Sequence, residues 1–124
     1  LLVNFWASWC GPCKAELREF AEHRDELRKA GLDVLALSVD GLETGGSTRS
    51  VDTASLLRQL DFPFRSGAAT TRLLDKLEIV QEMLFTRRHP FVVPFSLLLD
   101  RNGDLAAIYQ GRIGVRVLLR DVAK

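Results

Sequence analysis

The sequence predicts an α/β domain on a mixed four-stranded sheet, a βαβ half and a ββα half joined by a helical bridge. Three observations predict it. Leu1 to Asp40 runs as apolar stretch, long amphipathic stretch and second apolar stretch, the order of a βαβ unit. Asp100-Arg101-Asn102-Gly103 separates two further strand-like runs, the signature of an antiparallel hairpin. Only helical patterns lie between these halves, so helices are expected on both faces of the sheet.

Each element has its own reason. Leu1 to Ala7 is short, apolar and rich in strand formers, as a buried strand should be. Gly11 to Ala30 carries Leu17, Phe20, Ala21 and Leu27 at helical spacing, and Gly31 stands where a helix C-terminal glycine belongs. Leu32 to Asp40 is a second buried strand, parallel to the first through its crossover. Gly41 to Ser50 is a loop. Asp52 caps a short helix over Thr53 to Leu60, and Phe62-Pro63-Phe64 is an extended step after it. Leu73, Leu77, Val80 and Leu84 form one stripe of a helix over Thr70 to Arg87, which Pro90 stops. Phe95 to Leu99 and Asp104 to Gln110 are the hairpin strands, and Ile113 to Val122 is a closing helix.

Composition bounds the function. The chain has 124 residues, 47% hydrophobic and 27% charged, which suits one folded domain over 1–124. Its 17 Lys+Arg against 16 Asp+Glu leave no basic surplus for a polyanion, so a generic nucleic-acid binder is excluded. The longest apolar stretch, Phe91 to Leu99, is half of the roughly 18 residues that suggest a membrane span. Two cysteines, Cys10 and Cys13, cannot staple a scaffold, and with the distant His23 and His89 they make a poor zinc set. The chain opens on Leu1, directly into an apolar run, so a piece of a longer protein or precursor is expected. Its cellular address is not legible here.

Trp9-Cys10-Gly11-Pro12-Cys13 lies where the first strand feeds the first helix. Cys10 at the helix N-terminus meets free N–H groups and the positive dipole end, which favour a thiolate. Pro12 is tolerated in the first turn, where its missing N–H has no intrahelical partner. Cys13 lies about one turn on, within disulfide reach of Cys10. An exposed thiolate beside a less exposed partner suits an attacking and a resolving cysteine. The competing explanations are a zinc half-site, which lacks further ligands, and a chance pairing.

Leu2 to Glu16, LVNFWASWCGPCKAE, resembles the thioredoxin superfamily, most closely its TlpA/ResA-like thiol–disulfide oxidoreductases. The resemblance continues in LALSVD (Leu35 to Asp40), DFPF (Asp61 to Phe64) and VPFSLLLDRNGDLAAIYQG (Val93 to Gly111). It implies a thioredoxin-like fold, a redox-active CxxC and an extracytoplasmic setting, periplasmic or membrane-anchored. Protein dithiol or disulfide substrates and an upstream electron donor come with it. No metal or organic cofactor is implied, because the dithiol is the redox group. The Gly11-Pro12 pair is similar to that of thioredoxin and leans towards a reductant.

The resemblance also assigns residues. Pro94 matches the cis-proline facing the disulfide, so Val93–Pro94, and not His89–Pro90, is the expected cis bond. Its purpose would be to offer the backbone of Val93 to a substrate strand, beside Trp9, Gly11 and Pro12. Phe95 departs from the family's small hydroxyl residue at the next position, which bears on the shape of that groove. Asn4 stands where thioredoxin has a buried acid and cannot titrate. Glu16 matches the glutamate of the TlpA/ResA-like branch and could take the proton of Cys13 during resolution. Spacing alone allows an equally plain alternative, a solvated carboxylate among Lys14, Arg18 and Glu19.

Other features have bland explanations. Trp6 belongs to the core, and Trp9 shields the disulfide. Arg112, Arg116 and Arg120 make a solvated helix face, and His23 is exposed among charges. Arg87-Arg88-His89 satisfies a helix C-terminal dipole, although the segment before the cis-proline faces the active site in this fold. The helix Thr70 to Arg87 looks longer than its family counterpart. Two other functions compete with disulfide exchange: a redox-sensing or binding module of a larger multidomain protein, and a peroxide-reducing relative.

Overall fold

A strand that is apolar on both faces needs cover on both, and β1 (Leu2–Trp6) has it. Leu2, Asn4, Phe5 and Trp6 are all buried, and β1 is the middle strand of the sheet. The computed structural model describes residues 1–40, 50–84 and 93–123. Its further elements are α1 (Gly11–Glu22), α2 (Arg24–Lys29), β2 (Val34–Ser38), α3 (Ser50–Gln59), β3 (Arg65–Ala68), α4 (Thr71–Leu84), β4 (Phe95–Leu99), β5 (Leu105–Gln110) and α5 (Val115–Val122). The strand order is β3-β2-β1-β4-β5. β2 runs parallel to β1, with Leu2 opposite Val34, and β4 runs antiparallel to it, with Asn4 opposite Ser96. Phe5, Trp6, Leu17, Phe20, Leu27, Phe95 and Leu118 are the large buried apolar side chains that this arrangement brings together. Trp6 is wholly buried among them, as a core residue should be.

The sheet has five strands where four are expected. The added strand, β3, pairs parallel with β2 from Leu35 opposite Arg65 to Ser38 opposite Ala68. Its sequence, Arg-Ser-Gly-Ala, has no β-branched or aromatic residue and all four residues are exposed. Backbone pairing to β2 makes this edge strand, so hydrophobic periodicity carries no trace of it.

The single helix expected over Gly11 to Ala30 is two. It breaks at His23, whose backbone leaves the helical region (φ −105°, ψ 26°). There the Arg24 Nε donates to the Ala21 carbonyl at 2.9 Å, a side chain entering the helical ladder. His23 itself is half-buried and lies 3.2 Å from Glu26. α2 ends as predicted, with Gly31 at φ +78°. Gly31 N–H donates to Arg28 and Leu32 N–H to Leu27, the paired bonds of a Schellman ending with buried Leu27 and Leu32 beneath it. α3 closes on the same two bonds, from Asp61 to Arg58 and Phe62 to Leu57, with Asp61 at φ 49° in the glycine position. α3 begins at Ser50, so Asp52 lies inside its first turn and not at its cap. The rest of the expected helix beyond Leu84, Arg87-Arg88-His89 and Pro90 lies outside the described residues.

β4 and β5 form the expected hairpin, and the Asp100 carboxylate accepts the N–H groups of Asn102 and Asp104 within its turn. The Tyr109 hydroxyl donates to Asp121 at 2.7 Å and ties β5 to α5.

A Cβ on Gly31 meets nothing within 4 Å, so its positive φ is the only obstacle to a side chain there. Gly31→Ala should cost about 1 kcal/mol, the left-handed penalty alone. Urea unfolding measures it, and a loss near zero would mean that the chain ends α2 another way.

Candidate functional site

The end of β1 delivers the chain to a turn that β2 holds in place. Asp40, two residues past β2, accepts the Ser8 N–H at 2.9 Å and the Ser8 hydroxyl at 3.1 Å. Its other carboxylate oxygen accepts from Thr53 of α3, and its own N–H donates to Ser38 at 3.0 Å. Asp40 thus braces the turn just before Trp9 and Cys10, a role that its place at the end of LALSVD hints at only in retrospect. Cys10 N–H donates back to Ala7 at 3.1 Å and closes the turn.

Cys10 is the N-cap residue of α1. Its backbone is extended (φ −93°, ψ 109°), and its sulfur accepts the Cys13 N–H at 3.2 Å. Pro12 occupies the first turn, where it removes no intrahelical bond. Cys10 and Cys13 are joined as a disulfide with Cα atoms 5.3 Å apart. Cys10 keeps 6% of its surface and Cys13 none, so Cys10 is buried where an exposed sulfur is expected, and only the order of access is as predicted. Around Cys10 the rim is open. Gly11 and Pro12 are exposed, and Trp9 is 55% exposed, so most of its ring is available to a partner.

The Val93–Pro94 peptide is cis, and the Val93 carbonyl lies 3.9 Å from the Cys10 sulfur. His89–Pro90 lies outside the described residues. Pro94 is buried, and its carbonyl accepts from Gly111 at 2.9 Å. Phe95 is buried against Phe5, ring centroids 6.2 Å apart, so its bulk fills the core beneath the sheet.

Glu16 is the charged residue that burial singles out. It is wholly buried, which rules out a solvated carboxylate. One oxygen accepts from Asn4 Nδ2 at 2.5 Å, the other from the Ile113 N–H at 2.7 Å. Loss of hydration pushes its carboxyl up to about 7, against the bonds from Ile113 and Asn4 and the charge of Arg112. Glu19, a like charge, adds to the rise. Asn4 also donates to the Ser96 hydroxyl at 2.9 Å. Glu19 accepts the Val115 N–H at 2.6 Å and faces Arg112 at 3.6 Å. Gly114, the N-cap of α5, has no side chain to cap with, and Glu19 supplies the carboxylate from α1. Arg112, though exposed, thus reaches back to α1, whereas Arg120 pairs with its own neighbour Asp121 at 3.4 Å.

The structure thus brings Trp9, Cys10, Gly11, Pro12, Cys13, Val93 and Pro94 to one end of the sheet, with Glu16 a helical turn below. Sequence reasoning missed Asp40, Ser96 and Glu19. No cluster of three or more metal-binding side chains occurs among the described residues.

A family model described as AhpC/TSA matches residues 1–118. The thiol-disulfide oxidoreductase ResA of Geobacillus kaustophilus is 26% identical over 111 residues, 90% of this chain and 54% of that protein. Sporulation thiol-disulfide oxidoreductase A of Bacillus subtilis is 27% identical over 105 residues, 84% of this chain and 54% of that protein. The chain spans about half the length of these curated relatives. Among solved structures, StoA from Bacillus subtilis superposes with a TM-score of 0.67 at 20% identity, over 97% of this chain and 79% of that one. A thiol:disulfide interchange protein of the thioredoxin family from Chlorobium tepidum gives 0.75 at 17% identity, over 98% and 76%. At these identities the likeness shows the thioredoxin-like fold.

The raised carboxyl of Glu16 has a consequence for stability. Unfolded, the group returns to about 4.5, so between about 4.5 and 7 the folded chain binds more protons than the unfolded one. Stability should therefore fall as pH rises through that window, by at most about 1.4 kcal/mol per pH unit, and level off above it. Glu16→Gln should abolish that slope. Urea unfolding of both proteins with the disulfide closed, from about pH 5 to about pH 8, measures the difference. Parallel curves would mean that Glu16 ionises at the same pH folded and unfolded.

Proposed function

Because the chain belongs to the AhpC/TSA family, we propose that it is a thiol–disulfide oxidoreductase working through Cys10 and Cys13. The observation that carries the proposal is the Cys10 sulfur acting as the cap of α1 while bonded to Cys13. Once that bond is reduced, the same N–H and helix dipole stabilise negative charge on Cys10. The Cys10 thiolate attacks one sulfur of a protein disulfide. The substrate S–S bond breaks, one substrate thiolate leaves, and a mixed disulfide forms. Cys13 then gives its proton to Glu16 and attacks the Cys10 sulfur. The mixed disulfide breaks, the second substrate thiolate leaves, and the Cys10–Cys13 bond of the structure is restored. Two electrons have passed to the substrate, so an upstream dithiol donor must return them. The net direction is reductive, and the dithiol is the only redox group the scheme needs.

The exposed rim of Trp9, Gly11 and Pro12 supports substrate docking there. The Val93 carbonyl beside Cys10 supports main-chain pairing with an extended substrate strand at Val93 and Pro94. A carboxyl near 7 supports Glu16 as the proton carrier, since it can take and release a proton near neutrality. One sheet over one core supports a single domain across 1–124. We assign an extracytoplasmic setting on the resemblance to the TlpA/ResA-like branch. No helix among the described residues is long and apolar enough to cross a membrane.

With a dithiol supplied, the purified chain should reduce a generic protein disulfide. Cys10→Ser should abolish the activity, and Cys13→Ser should accumulate a mixed disulfide visible by mass spectrometry. Equal activity in both single variants, or turnover of peroxide with none of disulfides, would overturn the assignment. Glu16→Gln should slow exchange by about 10–100-fold and remove the limb of the pH–rate profile near neutrality. Superimposed profiles for the two proteins would remove Glu16 from the proton path.

A further inference from the structure

Asn4 sits at the centre of the central strand, wholly buried, in a run that is otherwise apolar. Antiparallel register places it directly opposite Ser96, so both side chains point to the same face, towards α1. Its Nδ2 donates to Glu16 and to Ser96. Its Oδ1 is buried with no hydrogen-bond partner among the described residues. An unpaired buried carbonyl is costly, and an apolar residue would suit the strand better.

The bonds around Glu16 explain why an amide is there. Both carboxylate oxygens accept, one from Asn4 and one from the Ile113 main chain. Two donors suit the ionised form best, because a protonated carboxyl accepts less well and gains a donor of its own. A proton on the oxygen facing Ile113 must point away from that N–H, which is fixed in the backbone and cannot turn to accept it. On the other oxygen it would confront the Asn4 NH₂. Turning the amide over about χ2 removes the conflict, since Oδ1 then takes the place of Nδ2 and accepts the new O–H. Ser96 fits either orientation, because a hydroxyl accepts from Nδ2 or donates to Oδ1 by rotating its own hydrogen.

We propose that Asn4 and Ser96 form a two-position amide switch that follows the proton on Glu16, donating to the carboxylate and accepting from the acid. They are positioning residues, and the proposal rests on Glu16 carrying the proton of Cys13. Each orientation leaves one end of the amide unpaired, so neither is locked by bond count. The charged groups acting on Glu16 are Glu19 on α1 and Arg112 on the β5–α5 connection, and Cys13, one turn earlier on α1, is held in the disulfide and carries no proton. β1 and β4 present only the uncharged Asn4 and Ser96. The sheet side therefore answers the proton by rotation and not by charge.

Isotope-labelled protein followed by NMR across the Glu16 titration tests this without any substitution. Nuclear Overhauser contacts from the Asn4 amide hydrogens to the Ser96 β-hydrogens should be strong above the Glu16 midpoint and lost below it. In Glu16→Gln they should not change with pH. Asn4→Leu should raise the Glu16 midpoint by about one pH unit, a tenfold gain in proton affinity, because the ionised form loses its charge-assisted bond. Ser96→Ala should shift it less and in the same direction. Amide contacts that persist unchanged while the Glu16 carboxyl carbon titrates would sink the switch and leave the proton role intact. A Glu16 carbon that titrates with no matching limb in the pH–rate profile would sink the proton role itself.

Discussion

A carboxylate inside a protein must be given donors or given a proton, and the buried carboxylate of Glu16 organises this molecule around that demand. Its two donors are Asn4 on β1 and the Ile113 main chain before α5, and the charge of Arg112 acts on it from nearby. To make those bonds, α1 must lie against the sheet at one height and one rotation. The β5–α5 connection must fold back over it. Glu19, one turn further along, repeats the grip by capping α5. Two carboxylates on one face of α1 thus fix how the last element of the chain docks.

The other end of α1 is fixed by a different device. Cys10 must have extended backbone to cap the helix, and the turn before it must present that residue at the correct height. Asp40 does this from β2, bonding both the N–H and the hydroxyl of Ser8. Thr53 of α3 anchors Asp40 in turn. The disulfide is therefore held by a turn pinned to the neighbouring strand, and the helix behind it is held by Glu16 and Glu19. Neither clamp uses the cysteines.

Much of this was legible from local patterns, and what was not has a common cause. CGPC at a strand-to-helix junction, Gly31 at a helix end and the Asp100–Gly103 turn are local signals, and local backbone chemistry produced each element. The β3 strand, the break at His23 and the burial of Glu16 are tertiary outcomes. β3 exists because β2 offers an edge, and its own residues have no preference for a strand. The break reflects a competition for the Ala21 carbonyl won by Arg24. Glu16 sits in a charged run that reads as solvated until the sheet covers it, and only the family resemblance marked it. Ser96 was invisible, because a lone serine in an apolar strand signals nothing without Asn4 opposite.

The two cysteines are both buried but differ in what meets a negative charge, and this is where the two clamps converge on chemistry. Negative charge on Cys10 is met by a helix N-terminus and by the Cys13 N–H. Negative charge on Cys13 is met by full burial, which opposes it. In the exchange proposed above, one thiolate would stand ready while the other would be made at the moment of attack, with a buried carboxylate as its base. An ordinary surface carboxylate, ionised well below neutrality, would be too weak a base to draw a proton from a buried thiol. Glu16 becomes a stronger base through the same burial that makes the Cys13 thiolate costly. Desolvation thus sets both the difficulty and its remedy, and the packing of α1 against β1 supplies both.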